Sequence, residues 1–238
     1  MRPTVEEMSA FYATPLGRRA VRELRRKLRP LVAHKPADRV LGIGFCGPYL
    51  DGLENHVERL GLVMPARQGV TRWPAQPPHA PNRALLAEET ALPFPDALFD
   101  QVIVIHGLEF VDPARRLLRE IWRVLAPSGK LLVVSANRAG LWAHFEKTPF
   151  GNGRPYGRGQ LKSLLRDSLF EPEQWQTALV MPPLRWLMPL ERTAQAIAPK
   201  LGSVHIVLAQ KTDGLAPVTP LPATALRRRV PSASPTSG

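Results

Sequence analysis

The chain has 238 residues, of which 44% are apolar, and a formal net charge of +12. This length and apolar fraction suit one folded domain with terminal extensions and exclude wholesale disorder. The single cysteine, Cys46, excludes an internal disulfide framework and a cysteine-based zinc site. No run approaches the ~18 apolar residues of a membrane-spanning helix, and the N-terminus lacks the apolar core of a secretory signal. We therefore expect a cytoplasmic location, no membrane span and no metal site.

The first 35 residues predict an N-terminal helical appendage, packed on the domain that follows. Val21, Leu24 and Leu28 recur at helical spacing, and residues 15–17 predict a break between two helices. Basic side chains fill the opposite face of the second helix: Arg18, Arg19, Arg22, Arg25, Arg26, Lys27 and Arg29. Such a face is typical of a solvated helix, a nucleic-acid partner or an anionic membrane partner. It has no interleaved aromatic residues for base stacking, which disfavours nucleic acid.

Residues 36–212 alternate between apolar runs and helical repeats, which predicts an α/β domain with a doubly wound, seven-stranded, mostly parallel sheet. The expected strands are residues 39–44, 59–64, 84–87, 99–105, 130–135, 177–181 and 204–209. The expected helices begin at Pro48, run from an N-cap at Asp112 to Leu125, and cover residues 159–168 and 187–197. Residues 65–82 contain five prolines and predict a loop in place of a helix. Residues 213–238 predict a disordered tail.

A glycine-rich turn follows the first predicted strand. Gly42, Gly44 and Gly47 have the spacing that lets a backbone approach a nucleotide, and a helix N-terminus with free N–H groups follows. Alone, the motif fits a purely structural turn equally well. Dinucleotide binding also needs an acidic residue ~20 positions further on. Met64 stands there, so NAD and FAD are disfavoured as ligands.

Residues 86–134 carry more specific motifs, in the stretch LAEETALPFPDALFDQVIVIHGLEFVDPARRLLREIWRVLAPSGKLLVV. This stretch closely resembles the class I S-adenosylmethionine-dependent methyltransferases of the ubiquinone- and menaquinone-biosynthesis type. The family's pattern E-x-x-R-V-L-x-P-x-G-x-L is present as Glu120, Arg123, Val124, Leu125, Pro127, Gly129 and Leu131. The stretches LGIGFCGPYL and NRAGLWAHFEKTPFGNGRPYGRGQL resemble a little-characterised bacterial subgroup of these enzymes. The resemblance implies the Rossmann-like methyltransferase fold and S-adenosylmethionine as cofactor.

The resemblance also implies which residues bind the cofactor. The positions are Gly42, Gly44, Gly47, Tyr49, Met64, Glu88 and His106. Glu88 matches the acidic residue that contacts adenine in the family, and the glycine turn matches the part that holds the amino-acid end. Met64 stands where the family has the acidic residue that holds the ribose hydroxyls, so the chain departs from the family's pattern there.

The candidate catalytic residue is His106. It follows the fourth predicted strand directly, and an imidazole ordinarily titrates near neutrality, as a general base should. Glu109 lies one turn further on, and both side chains also fit structural roles. Candidate acceptor-binding residues lie in the glycine-rich segment after the fifth strand: Asn137, Arg138, Trp142, Arg154 and Tyr156. That segment fits a glycine-hinged lid, and equally a surface crossover with Trp142 in the core.

The leading hypothesis is a methyltransferase acting on a small-molecule acceptor. One alternative keeps the fold and loses turnover, because the ribose carboxylate is missing. A second alternative is a methyltransferase acting on RNA or protein, suggested by the basic helix. The sequence leaves open the identity of the acceptor, the atom methylated and the oligomeric state.

Overall fold

The computed structural model describes residues 2–33, 35–77 and 79–212. Its centre is a seven-stranded sheet in the order β3-β2-β1-β4-β5-β7-β6. The strands are β1 Arg39–Gly44, β2 Arg59–Pro65, β3 Ala84–Ala87, β4 Phe99–Ile105, β5 Leu125–Ala136, β6 Phe170–Ala178 and β7 Val204–Lys211. Strands β1 to β5 pair in parallel, and β7 is antiparallel to both β5 and β6. The predicted doubly wound, mostly parallel sheet is confirmed.

Helices cover both faces of this sheet. The α-helices of the described ranges are α1 Val5–Ala13, α2 Pro15–Leu28, α3 Gly47–Leu50, α4 Ala114–Val124, α5 Arg158–Arg166 and α6 Glu191–Ile197. On one face α4 buries Leu117 and Ile121, and on the other α2 buries Leu24 and Leu28. The central strands are therefore buried on both sides, which explains why their sequences are continuously apolar.

Two threonines define where the N-terminal helices begin. The Thr4 hydroxyl accepts a hydrogen bond from the Glu7 backbone N–H, and the Glu7 carboxylate accepts one from Thr4. Thr14 ends α1 and caps α2, because its hydroxyl accepts from the Gly17 N–H. With no loop between them, α1 and α2 pack on the same core, in which Met8 is fully buried.

Two helix predictions were wrong at their boundaries. The helix after the glycine turn is only Gly47–Leu50, because Gly52 adopts a left-handed conformation with φ of +88° and a 3-10 turn, Leu53–Asn55, follows. Asp112 is not a helix N-cap: α4 begins after Pro113, and the Asp112 carboxylate instead pairs with Arg154 at 2.8 Å.

Two strands also differ from the prediction. The chain leaves α4 directly in an extended conformation, so β5 begins at Leu125 and not at residue 130. The sixth strand is Phe170–Ala178, where residues 177–181 were expected. The described residues of the proline-rich segment 66–82 contain no helix, as predicted. The predicted disordered tail, residues 213–238, lies outside the described residues. Within the described ranges, no helix is both long and apolar enough to cross a bilayer.

Candidate functional site

The carboxyl ends of β1, β2, β3 and β4 meet at one edge of the sheet, where doubly wound folds bind ligands. The glycine turn lies there. Gly44 has φ of +92°, and a Cβ at this position would overlap the Ile105 carbonyl. A Cβ on Gly47 would lie 2.9 Å from the indole ring of Trp73, which the proline-rich segment places over the turn. Both glycines are thus required by close packing in this structure.

Helix α1 covers the glycine turn through Tyr12. Its ring stacks on Phe45, with centroids 5.4 Å apart and planes 9° from parallel. Its hydroxyl lies 2.5 Å from Nε2 of His106 and accepts a hydrogen bond of 2.8 Å from the Tyr49 hydroxyl. Since Tyr49 donates to Tyr12, the Tyr12 proton is directed at His106. We call Tyr12, Tyr49 and His106 the tyrosine–histidine cluster.

Burial sets the charge state of the tyrosine–histidine cluster. It lowers the pKa of His106 to about 3 and raises the pKa values of Tyr12 and Tyr49. The imidazole is therefore neutral near pH 7, and its position agrees with the prediction. The pKa of His106 does not agree with the prediction, because an imidazole titrates near neutrality only when it is solvated.

A second group of polar side chains lies beneath the N-terminal segment. Gln68 follows β2, Glu89 follows β3 and Glu109 follows β4, and these side chains are only 3%, 7% and 5% exposed. The Arg2 guanidinium pairs with Glu89 at 2.6 Å and lies over the Phe110 ring at 5.4 Å. We call Gln68, Glu89 and Glu109, together with Arg2, the buried polar cluster.

Several atoms of the buried polar cluster have no hydrogen-bond partner among the described residues. They include both amide atoms of Gln68, Oε2 of Glu89 and Oε2 of Glu109, although Oε1 of Glu109 accepts from the Ala136 N–H at 2.9 Å. Burial raises the pKa of Glu109, and backbone N–H groups, the nearby Ser135 hydroxyl and then the Arg2 charge partly oppose this. A buried polar atom without a partner costs about 1–3 kcal/mol. A polar ligand at this edge would remove that cost, so the residues present fit a nucleoside-like group.

Two of the predicted cofactor-binding residues, Glu88 and Met64, are not part of the buried polar cluster. The side chain of Glu88 is exposed, whereas its neighbour Glu89 is buried. Met64 is buried, and its sulfur accepts a hydrogen bond from the Thr71 N–H at 3.3 Å. The sequence reasoning missed Glu89, although the adjacent acidic pair was a visible signal. It also missed Gln68, for which the sequence offers no signal.

The five predicted acceptor residues do not converge on one surface. Trp142 is in the core, where its Nε1–H donates to the Met181 carbonyl at 2.7 Å. Asn137 is buried and donates to the Gly202 carbonyl. Arg138 and Arg154 are exposed, and Tyr156 donates a long hydrogen bond of 3.4 Å to the Leu108 carbonyl. The packing of this segment therefore fits a surface crossover with Trp142 in the core better than a glycine-hinged lid.

A groove of about 310 Å³ lies between α1 and residues 146–152, next to the buried polar cluster. Its apolar lining comes from Met8, Phe11 and Pro149. Charged side chains stand around them: Arg2, Glu7, Glu146 and Lys147. Phe150, beside this groove, packs against His106 with ring centroids 4.6 Å apart. The groove shares Arg2 with the buried polar cluster and has the mixed lining typical of small-molecule sites.

Sequence comparison relates part of this chain to known proteins. A family model described as a methyltransferase domain matches residues 46–133. The chain is 37% identical to the demethylmenaquinone methyltransferase of Thermus thermophilus over 99 residues. This stretch is 42% of this chain and 37% of that protein. The chain is 46% identical to the ubiquinone/menaquinone biosynthesis C-methyltransferase of Pasteurella multocida over 52 residues. This stretch is 22% of this chain and 19% of that protein. The matches thus span well under half the length of these relatives.

Solved structures agree on the fold. An S-adenosylmethionine-dependent methyltransferase of Thermotoga maritima, described as a possible histamine N-methyltransferase, superposes with a TM-score of 0.63 at 20% identity, covering 87% of this chain and 96% of that one. The [4+2]-cyclase SpnF superposes with a TM-score of 0.57 at 22% identity, covering 81% and 80%. The fold alone therefore does not define the chemistry. Residues 46–133 thus match a methyltransferase-domain family, and the chain shares the fold of S-adenosylmethionine-dependent methyltransferases. Within that class, the matched sequence is similar to the quinone-biosynthesis enzymes named above.

Proposed function

We propose that this protein is an S-adenosylmethionine-dependent methyltransferase that acts on a small-molecule acceptor. The observation that carries the proposal is the buried polar cluster, whose uncompensated atoms lie at the carboxyl ends of β2, β3 and β4. In a methyltransferase fold this edge of the sheet faces the cofactor. A core that leaves carboxylate and amide atoms unpaired is costly, and a ligand with hydroxyl and amino groups offsets that cost.

The chain's own residues divide the work of holding the cofactor. Glu89 and Gln68 would accept hydrogen bonds from hydroxyl or amino groups, and Gln68 would also donate one. Gln68 thus offers polar atoms near the position where Met64 replaces the family's carboxylate. Trp73 and Tyr12 cover the turn at Gly44 and Gly47, so the amino-acid end would reach its backbone only after these side chains move aside. When bound, the cofactor supplies an electrophilic methyl group.

The two titratable candidates have different roles in this proposal. His106 has its pKa lowered by burial to about 3, so it binds a proton weakly and serves to orient the Tyr12 hydroxyl. Glu109 has its pKa raised by burial, and its Oε2 is free of partners among the described residues. Glu109 is therefore the better proton acceptor if the methylated atom carries a proton.

The acceptor would enter the groove beside α1. Two relatives are named for quinone methylation, which favours an apolar ring compound. Met8, Phe11 and Pro149 supply apolar contact area for such a ring. Arg2 and Lys147 supply hydrogen-bond donors for its oxygen atoms.

Isothermal titration calorimetry of the purified protein with S-adenosylhomocysteine tests the proposal. We expect saturable one-to-one binding, and the variant Gln68→Leu should bind at least tenfold more weakly while its melting temperature is kept or raised. Absence of heat at millimolar ligand would contradict the proposal.

A second candidate function is cofactor binding without turnover, favoured by the absence of a carboxylate at Met64. Incubation with methyl-labelled S-adenosylmethionine and a demethylated quinol separates the two. Transfer of the label to the quinol removes the second candidate. Tight binding of S-adenosylhomocysteine without transfer to any quinol or phenol tested would favour it.

A further inference from the structure

One segment of the chain exposes an unusual number of apolar side chains. Of the ten large apolar side chains that are exposed in the described residues, five lie between residues 184 and 201. They are Leu184, Trp186, Leu190, Ile197 and Leu201, with exposed fractions of 40%, 73%, 53%, 80% and 65%. Exposed apolar residues are normally scattered singly over a surface, so this concentration calls for a partner. We call these five residues the apolar patch.

The apolar patch belongs to an anchored segment of chain. Glu191 is 2% exposed, and its carboxylate accepts hydrogen bonds of 2.8 Å from the backbone N–H groups of Val180 and Met181. Met188 is also buried, and the Thr177 hydroxyl donates to the Pro199 carbonyl. With Met188 and Glu191 fixed inward, helical geometry directs Leu190 and Ile197 outward. The exposure is therefore built into the packing of this segment.

Basic side chains border the apolar patch. Arg192 lies 3.5 Å from Glu23 of α2, and a groove between α2 and the segment is lined by Arg19, Arg22 and Arg192. Glu23, the acidic residue of this groove, is shared between Arg26 and Arg192. Within the described ranges, no carboxylate lies within ion-pair distance of Arg19 or Arg22. Exposed arginines continue along α2 at Arg18, Arg25 and Arg29.

We propose that the apolar patch and the arginine face of α2 together dock this protein on an anionic phospholipid bilayer. The positive charge is complementary to anionic headgroups. The exposed aliphatic side chains, with a tryptophan among them, are suited to the boundary between headgroups and acyl chains. RNA would match the arginines and Trp186, whose ring can stack on a base, but not Leu184, Leu190, Ile197 and Leu201, which can neither stack on bases nor donate hydrogen bonds. Lipid accounts for the aliphatic side chains as well as for the arginines.

Co-sedimentation of the full chain with sucrose-loaded vesicles tests this surface. One set of vesicles contains phosphatidylcholine with about a third phosphatidylglycerol, and the other contains phosphatidylcholine alone. We expect at least tenfold stronger binding to the anionic vesicles, weakening with salt because headgroup attraction is screened.

Paired variants separate the apolar and basic contributions. The double substitution of Trp186→Ser and Ile197→Ser should reduce binding at least tenfold, and so should Arg19→Gln with Arg22→Gln. The matched controls are Leu141→Ser with Phe145→Ser, and Arg116→Gln with Arg119→Gln, which change exposed side chains elsewhere and should bind like the wild type. Because these side chains are exposed, apart from the half-buried Arg19, melting temperatures should change little.

Three outcomes overturn the proposal. One is absence of binding to anionic vesicles. Another is binding that persists after the serine substitutions at Trp186 and Ile197. The third is salt-sensitive retention of single-stranded RNA that displaces vesicles and is unaffected by those serine substitutions, which would assign the arginine face to nucleic acid. None of these readouts depends on cofactor binding or turnover.

Discussion

The hydroxyl of Tyr12 lies 2.5 Å from Nε2 of His106, although 94 residues separate them in the chain. This bond joins α1 to the loop that follows β4, directly over the glycine turn. Both groups are buried, so neither can turn to water when the bond is lost. The N-terminal helices are therefore part of the site, and the following predictions examine its parts separately.

Substitution Tyr12→Phe should lower the free energy of unfolding by roughly 1–3 kcal/mol, because it leaves His106 Nε2 and the Tyr49 hydroxyl without a partner. The matched control is Tyr156→Phe, where a half-buried hydroxyl makes only a 3.4 Å bond and the change should be small. Urea denaturation monitored by circular dichroism measures both. Equal effects of the two substitutions would contradict the importance of the Tyr12 bond.

Stability should fall on acidification partly because of His106. Its pKa is lowered to about 3 in the folded state from an ordinary 6.5, so below pH 6.5 the unfolded chain binds a proton that the folded chain does not. The contribution of the neutral, buried His106 to the free energy of unfolding is fully present above about pH 6.5. It decreases by ~1.4 kcal/mol per pH unit as the pH falls towards about 3.

The variant His106→Gln isolates this contribution. Between pH 6.5 and 4 its unfolding free energy should fall less steeply than that of the wild type, as measured by urea denaturation at several pH values. His56→Gln, at an exposed histidine, should keep the wild-type slope. Identical slopes for wild type and His106→Gln would show that the imidazole is not buried in the neutral form.

Substitutions at the neighbouring residues Glu89 and Glu88 should affect cofactor binding differently. If the buried carboxylate holds the cofactor, Glu89→Gln should weaken S-adenosylhomocysteine binding by roughly 10- to 100-fold, the range of a charged hydrogen bond. Glu88→Gln changes the adjacent exposed carboxylate and should leave affinity nearly unchanged. The reverse order in calorimetry would restore the assignment implied by the family resemblance.

Restoring an acidic residue at Met64 should not help this protein. Met64 is 2% exposed, so Met64→Asp buries a carboxylate and should cost on the order of 3 kcal/mol of stability. Met64→Leu keeps the volume and should cost less than about 1.5 kcal/mol. Thermal unfolding ranks the two variants. An increase in S-adenosylhomocysteine affinity in Met64→Asp would instead support loss of a ribose carboxylate as an impairment.

The glycines after β5 should differ sharply in their tolerance of a side chain. A Cβ on Gly140 would overlap the Cα of Ser203, and so Gly140→Ala should destabilise the protein by about 2 kcal/mol or more. Gly159 has open space around it on α5, and Gly159→Ala should be neutral or stabilise by up to about 1 kcal/mol. Melting temperatures test the pair. Tolerance at both sites would support the glycine-hinged lid.

Local patterns were enough to predict the first four strands of the sheet, although β5 and β6 differ from the predicted bounds. The apolar runs of β1 and β4 and the apolar stripe at Leu117, Leu118 and Ile121 reflect burial directly, and each recurs at its own period. The prediction for the helix after the glycine turn was wrong from Gly52 onwards, because the left-handed conformation of this glycine outweighed the helical propensity of the residues beyond it.

The site was predictable only where it follows the strands. His106 and Glu109 were found because they come directly after β4. Arg2 and Tyr12 were missed because their contacts reach from the N-terminal segment to residues distant in sequence, and no local pattern encodes such a contact. Trp142 was a candidate for the acceptor site because it lies in the glycine-rich segment, with a core position as the alternative. Its burial depends partly on the Met181 carbonyl, which is distant in sequence.

The ion pair between Arg2 and Glu89 sets a condition on any ligand that uses the same carboxylate. The guanidinium pairs with Oε1 and leaves Oε2 of the same carboxylate for a ligand. A ligand bound there lies beside the N-terminal segment that completes the site, so it binds only molecules in which that segment is docked. Binding at the crevice then raises the population of the docked form, and whatever loosens residues 2–13 weakens binding.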